Sequence, residues 1–86
     1  MNTLPPFQLL LSRCRQAESI LVTGPIFPDG DSIGACLALA RSLQELTGAR
    51  IDVAGNSSFR YAWLPRIGDM IPDSSISGSY DIAIVM

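Results

Sequence analysis

Two carboxylates separated by a single glycine, in the stretch Pro28-Asp29-Gly30-Asp31, are the residues best suited to chemistry in this sequence. Paired oxygen ligands at this spacing suit a hard divalent cation such as Mg²⁺ or Mn²⁺. Pro28 fixes its own φ, and Gly30 permits the tight reversal that turns both carboxylates toward one point. The stretch therefore predicts a metal site with Asp29 and Asp31 as ligands. The alternative is purely structural, because Pro-Asp-Gly is a common turn and aspartate is a common helix N-cap.

The elements on either side of this stretch favour a binding site. Residues 20–23 form a short β-branched run that is typical of a strand. A helix is predicted from residue 31 or 32 to about residue 47, with Asp31 or Ser32 as its cap and Gly48 just after its end. Ligands of open α/β sheets bind where a strand is followed by a helix, and the helix dipole attracts anions there.

The remaining elements complete an α/β pattern. A first amphipathic helix is predicted over residues 7–17 and a second strand over residues 50–54. A helical turn at residues 59–64 and a winding surface connection at 65–79 then lead to a third strand ending at residue 86, whose apolar run is typical of a parallel strand covered on both faces. Small residues on the second helix would allow its close approach to the sheet; these are Gly34, Ala35 and Ala38. We expect a Rossmann-like three-layer fold with a short parallel sheet of about three strands, and one domain over residues 1–86.

Composition excludes several classes of function. The net charge of −2 offers no basic footprint for duplex DNA or an anionic membrane, and no apolar stretch approaches the roughly 20 residues that span a bilayer. The chain contains no histidine, so it cannot assemble a Ser-His or Cys-His nucleophile. Cys14 and Cys36 lie far apart in the sequence, which favours buried reduced thiols and a cytoplasmic setting.

The stretch "ILVTGPIFPDGDSIGACLALARSL" resembles the first motif of the DHH-type phosphoesterase family, a strand followed by His-x-x-Pro-Asp-x-Asp and a small-residue helix. The resemblance extends in order through "GARIDVAG" to the terminal "YDIAIVM". In that family the last of these strands runs into a metal-bridging aspartate, and the Asp-His-His signature follows further on. The resemblance therefore implies the amino-terminal part of a DHH-type domain, whose later motifs would lie beyond Met86.

This resemblance implies an enzyme that depends on Mn²⁺ or Mg²⁺ and binds two ions in the complete domain. It would hydrolyse phosphoester or phosphoanhydride bonds of nucleotides, short oligonucleotides or related phosphates. Asp29 matches the family's ligand to one ion and Asp31 its ligand to the other. The fragment alone is expected to be inactive, since it carries too few ligands to hold two ions. A homodimer is left open.

One departure from the motif keeps a second function open. Pro25 stands at the position of the motif's histidine and can donate nothing to a metal. The alternative is a catalytically degenerate nucleotide-binding or regulatory module of the same fold. A third alternative is an interaction domain whose last strand pairs with a partner.

Weaker candidates each have a structural explanation. Ser32 and Arg60 are candidate phosphate contacts, although serine is also a common helix cap and a surface arginine often packs its stem. Tyr61 and Trp63 have the chemistry to stack on a base, but in a small domain they are expected to seal the edge of the core. Asp81 is expected to be a solvated strand edge or a cap.

Overall fold

The structure is a computed structural model and describes residues 5–24, 30–55, 61–76 and 78–86. Two α-helices, α1 (Pro6–Gln16) and α2 (Gly30–Leu46), accompany four strands. The strands are β1 (Ser19–Thr23), β2 (Arg50–Ala54), β3 (Met70–Ile71) and β4 (Ile82–Val85). They form one all-parallel sheet in the order β3-β2-β1-β4. The α/β class and the parallel sheet predicted from the sequence are confirmed.

The central strand β1 organises the core. Ile20 and Val22 are fully buried, and on one side of β1 they are in register with Ile51 and Val53 of β2. These residues alternate along their strands, so they line the same face of the sheet. Burying an isoleucine or valine side chain completely contributes about 1.5–3 kcal/mol. The β-branched run in residues 20–23 thus supplies both the strand conformation and the centre of the core.

Both helices pack on that same face. Cys14 of α1 and Ile33 of α2 belong to one buried cluster with Ile20 and Val22. Four further residues of α2 join this cluster, namely Cys36, Leu37, Ala40 and Leu43. The described residues therefore form two layers, a sheet and a helical layer, where the sequence predicted three. The two helices face β1 from the same side, and this leaves the opposite face without a helix in the described ranges.

That opposite face is open at β4. Ile82 and Ile84 are half-buried against the core, whereas Ala83 and Val85, which point the other way, are exposed. The described residues cover this strand on one face only, so its expected cover on the other face stays a prediction. β4 lies at the margin of the sheet, and among the described residues only its helix-facing side is packed.

The strand β3 was not predicted from the sequence. Residues 65–79, expected to be a surface connection, contain β3 and two short 3₁₀ helices, Ile67–Asp69 and Asp73–Ser75. β3 pairs in parallel with the end of β2, and the Gly55 amide donates to the Ile71 carbonyl oxygen over 2.9 Å. A two-residue strand has no periodicity to detect, since its conformation depends on β2 rather than on local preference.

Two expectations about α2 were wrong in detail. The helix begins at Gly30, so Asp31 is its second residue and neither Asp31 nor Ser32 is the N-cap. The small residues do not face the sheet either. Ala35 and Ala38 are exposed, and Gly34 and Ala38 line a cleft beside residues 64–66. Gly34 and Ala38 therefore face the segment after β2 across this cleft, and a Cβ atom on Gly34 would meet nothing within 4 Å. No helix in the described ranges is long and apolar enough to cross a bilayer.

Candidate functional site

The candidate site lies at the carboxyl ends of the strands. The chain runs from β1 to β2 and β3 on one side of the sheet, and then returns to form β4 on the other side of β1. The strand order therefore reverses between β1 and β4, and ligands of parallel α/β sheets bind outside such a reversal. The Met86 amide donates to the Thr23 carbonyl oxygen over 2.8 Å, which fixes the end of β4 beside the end of β1.

Asp31 is the predicted metal ligand that the structure describes. It lies in the first turn of α2 with an exposed side chain, and it makes no hydrogen bond or ion pair with any described residue. A carboxylate in this position interacts favourably with the helix dipole, by about 0.3–1 kcal/mol. No described residue engages its two oxygens, and hard divalent cations prefer such oxygens as ligands.

The structure describes only some of the other predicted site residues. Asp29, Arg60 and Pro25 lie outside the described residues, so their predicted roles stay predictions. Ser32 lies in the same first turn of α2 as Asp31 and is half-buried. Within the described ranges, no three histidine, cysteine, aspartate or glutamate side chains come together as a metal site would require. The metal-site prediction therefore depends on Asp29 joining Asp31.

Glycines at this edge make room for side chains of the protein itself. A Cβ atom on Gly24, directly after β1, would lie 3.3 Å from the Cys36 sulfur. A Cβ atom on Gly30 would lie 3.1 Å from Cε1 of the Tyr61 ring. Contacts this short show that the sulfur and the ring pack directly on the glycine backbone. Gly30 is therefore needed for the contact with Tyr61 as well as for any turn beside Asp29.

The two aromatic candidates differ in position. Tyr61 is half-buried and packs against the core cluster, so the expectation that it seals the edge of the core is confirmed. The same expectation was wrong for Trp63, whose side chain is 74 % exposed. Trp63 lies in the turn that leads away from Tyr61, and apolar character alone did not distinguish the two.

The cysteines take no part in the candidate site's chemistry. Cys14 and Cys36 are buried free thiols, as the sequence predicts. Burial raises the pKa of both thiols above the ordinary value of 9.0. They therefore stay protonated at neutral pH, and a protonated thiol is a poor nucleophile.

A polar cluster at the opposite, amino edge of the sheet was not predicted from the sequence. The Tyr80 hydroxyl donates to Asp52 Oδ2 over 2.7 Å, and the Arg50 guanidinium lies 5.6 Å from the centre of the Tyr80 ring. The hydrogen bond to Asp52 is the main cause of a raised pKa at Tyr80, and desolvation adds to it. Arg50 Nε also lies 3.8 Å from Asp52 Oδ2. No local pattern predicts this cluster, because its members come from separate elements.

Asp81 belongs to the same edge. Its Oδ2 accepts a hydrogen bond from the Glu18 amide at 2.7 Å, and its own amide donates to the Ser19 carbonyl oxygen at 3.1 Å. Asp81 therefore ties the start of β4 to the start of β1, in agreement with its expected role as a cap.

Comparison with known proteins adds no assignment. No protein-family model matches the chain, and no curated protein does either.

Proposed function

We propose that this chain belongs to a metal-dependent phosphoesterase of the DHH type. The full-length protein would hydrolyse phosphoester or phosphoanhydride bonds of nucleotides, short oligonucleotides or related phosphates. The observation that carries the proposal is the Asp31 carboxylate in the first turn of α2, beside the reversal in strand order, which has no partner among the described residues. If the Asp29 and Asp31 side chains converge, their carboxylates would repel each other, and a cation between them would offset that repulsion.

The donor chemistry fits a divalent ion. Asp29 and Asp31 would hold Mn²⁺ or Mg²⁺ through carboxylate oxygens, the ligand type that these ions prefer. When bound, the ions supply positive charge that stabilises the phosphate group during hydrolysis. Ser32, on the same turn as Asp31, would donate a hydrogen bond to a phosphate oxygen, and Arg60 would pair with its charge.

We also infer the finer architecture. Residues 1–86 would be the amino-terminal part of a Rossmann-like three-layer domain, and a further layer would cover the face that carries Ala83 and Val85. The exposure of these two residues supports the inference, because parallel sheets in α/β proteins are covered on both faces.

Pro25 favours a second candidate function. Proline has no ligand atom for the position where the family motif has histidine. The second candidate is a nucleotide-binding or regulatory module that keeps the fold without hydrolysis. In that case Asp31 would act only as a favourable charge at the helix N-terminus.

Hydrolysis assays of the protein, in the full length that its gene encodes, separate the two candidates. Bis-p-nitrophenyl phosphate, a cyclic dinucleotide and a short oligonucleotide would be tested with and without Mn²⁺. We expect Mn²⁺-dependent hydrolysis that falls at least about 100-fold in Asp29→Asn and Asp31→Asn, since even partners outside the ligand shell are worth 10–100-fold. Asp81→Asn, at the amino edge, is the matched control and should retain activity. Nucleotide binding with no hydrolysis on any substrate would support the regulatory module instead.

A further inference from the structure

An apolar cleft lies between the middle of α2 and the segment that follows β2. Its volume is about 280 Å³, and its apolar lining consists of Gly34, Leu37 and Ala38 on the helix with Leu64 and Pro65 on the segment. A Cβ atom added to Gly34 would meet nothing within 4 Å. The small residues of α2 therefore leave a space that the described side chains do not fill.

An exposed aromatic side chain lies next to this cleft in the chain. Trp63 directly precedes Leu64, and its side chain is 74 % exposed. A tryptophan buries about 150–250 Å² when it enters an apolar site, and tryptophans are enriched at the centres of protein interfaces. The same short segment thus carries an exposed apolar side chain and one wall of an apolar cleft.

The rim of the cleft is charged but balanced. Arg41 Nε lies 3.0 Å from Glu45 Oε1 on α2, and Arg66 Nε lies 2.6 Å from Asp69 Oδ2. All four of these side chains are exposed. Because each arginine has a carboxylate beside it, two copies of this surface can approach each other without the repulsion between surfaces of one sign.

We propose that this surface is the interface of a homodimer, in which Trp63 enters the cleft of the partner subunit and the partner's Trp63 enters the cleft of the first. A two-fold axis brings the same surface of both copies together, so such an interface requires a projecting group and a matching cleft on one surface. Trp63 and the cleft meet this requirement, and the balanced rim permits it. The inference goes beyond the proposed function and involves neither Asp31 nor a metal ion.

The extent of the surface predicts a weak dimer. The two tryptophans together would bury about 300–500 Å² of their own surface. Interfaces that bury less than about 1,200 Å² in total are typical of weak or transient complexes. We therefore expect a dimer dissociation constant between about 1 μM and about 1 mM.

Sedimentation velocity of the full-length protein, at concentrations from about 1 μM to about 1 mM, tests the proposal. Trp63→Ala should raise the dimer Kd about 10-fold or more, because truncation of a tryptophan at the centre of an interface is costly. Phe7→Ala is the matched control, since Phe7 is 72 % exposed on α1 and does not line the cleft. It should leave the Kd unchanged.

A second pair of variants tests the cleft itself. Ala38→Phe places a ring in the cleft and should raise the Kd about as much as Trp63→Ala does. Ala35→Phe is its matched control, because Ala35 is also exposed on α2 but does not line the cleft. Thermal unfolding of each variant reports any loss of the fold separately from the loss of association.

The rim is tested by reversing charges. Arg41→Glu unbalances the surface and should raise the Kd, with a larger effect at low salt than at high salt. Adding Glu45→Arg restores the balance and should recover most of the association.

Four outcomes decide the proposal. Weaker association in Trp63→Ala and Ala38→Phe, with both controls unchanged, would support it. A wild-type protein that stays monomeric up to about 1 mM would overturn it and leave the cleft to a different partner. An unchanged Kd in both variants would place any dimer contact elsewhere and also overturn it. If only Trp63→Ala weakened the dimer, the tryptophan would dock outside the cleft, which contradicts the proposed pairing.

Discussion

At the amino edge of the sheet the polar side chains satisfy one another, whereas at the carboxyl edge Asp31 has no partner in the described part of the chain. Asp52 accepts from Tyr80 and Asp81 accepts from the Glu18 amide, each over 2.7 Å. Asp31 is exposed at the start of α2. The carboxylates at the amino edge contribute to folding, whereas the contacts of Asp31 give it no comparable structural role. This difference makes the carboxyl edge the better candidate for ligand chemistry.

The packing around the glycines also differs between the two edges. At the carboxyl edge, Gly24 and Gly55 are contacted by the sulfur atoms of Cys36 and Met70, at 3.3 and 3.2 Å from an added Cβ. Gly48, which precedes β2 at the amino edge, has open space around it. Side chains of the protein therefore pack closely on the backbone at the carboxyl edge, beneath the candidate site.

The largest expected effect is a loss of stability on substitution in β1, the strand that runs between the two edges. Ile20→Ala removes a fully buried side chain of β1 and should lower the free energy of unfolding by about 2–5 kcal/mol. Urea denaturation followed by circular dichroism measures this loss. Val85→Ala, at a side chain that is 72 % exposed, is the matched control and should change little. Equal losses in the two variants would contradict the described core.

A smaller effect tests the packing under the carboxyl edge. Gly24→Ala should cost about 1–3 kcal/mol, because Cys36 is buried on α2 and has little room to yield. Denaturant midpoints measure the loss. Adding Cys36→Ala should offset part of the cost of Gly24→Ala, so the double variant should be more stable than additivity predicts. Strict additivity would mean that the sulfur does not contact Gly24.

The smallest effect concerns the amino edge and its dependence on pH. The hydrogen bond to Asp52 raises the pKa of Tyr80 above 10.0, so the folded protein keeps this proton at pH values where the unfolded chain has lost it. The stabilisation is therefore fully present below about pH 10 and is lost as the pH rises through the raised value. Tyr80→Phe should weaken the fold slightly at neutral pH and reduce the loss of stability at alkaline pH.

Denaturant midpoints measured from about pH 8 to about pH 11 check this expectation, since tyrosine ordinarily titrates near pH 10. Parallel curves for wild-type protein and Tyr80→Phe would show that Tyr80 does not couple to folding. Mn²⁺ affinity at neutral pH should be the same in both proteins, because Tyr80 lies at the edge remote from Asp31.

Sequence patterns predicted the elements that depend on local periodicity. Strand β2 has the predicted bounds, and the start of α2 differs by one or two residues. β3 could not be predicted, because Met70 and Ile71 become a strand only by pairing with β2. The contact between Tyr80 and Asp52 joins residues 28 positions apart and leaves no local signal. The contact between Tyr61 and Gly30 likewise depends on how the segment after β2 packs along α2.

For the candidate site, the sequence predicted that Asp31 follows β1 and lies at the start of α2; the structure places it in the first turn of the helix and not at its cap. The pairing of Asp31 with Asp29, the role of Arg60 and the consequence of Pro25 stay predictions, since these residues lie outside the described ranges. Convergence of two side chains depends on backbone torsions in the turn, and residue types only restrict those torsions.

Calorimetric titration of the full-length protein with Mn²⁺ tests the central claim most directly. The account predicts saturable binding in wild-type protein, a loss of binding in Asp29→Asn and in Asp31→Asn, and unchanged binding in Asp81→Asn. Binding that survives in both Asp29→Asn and Asp31→Asn, or that is absent from wild-type protein, would contradict it.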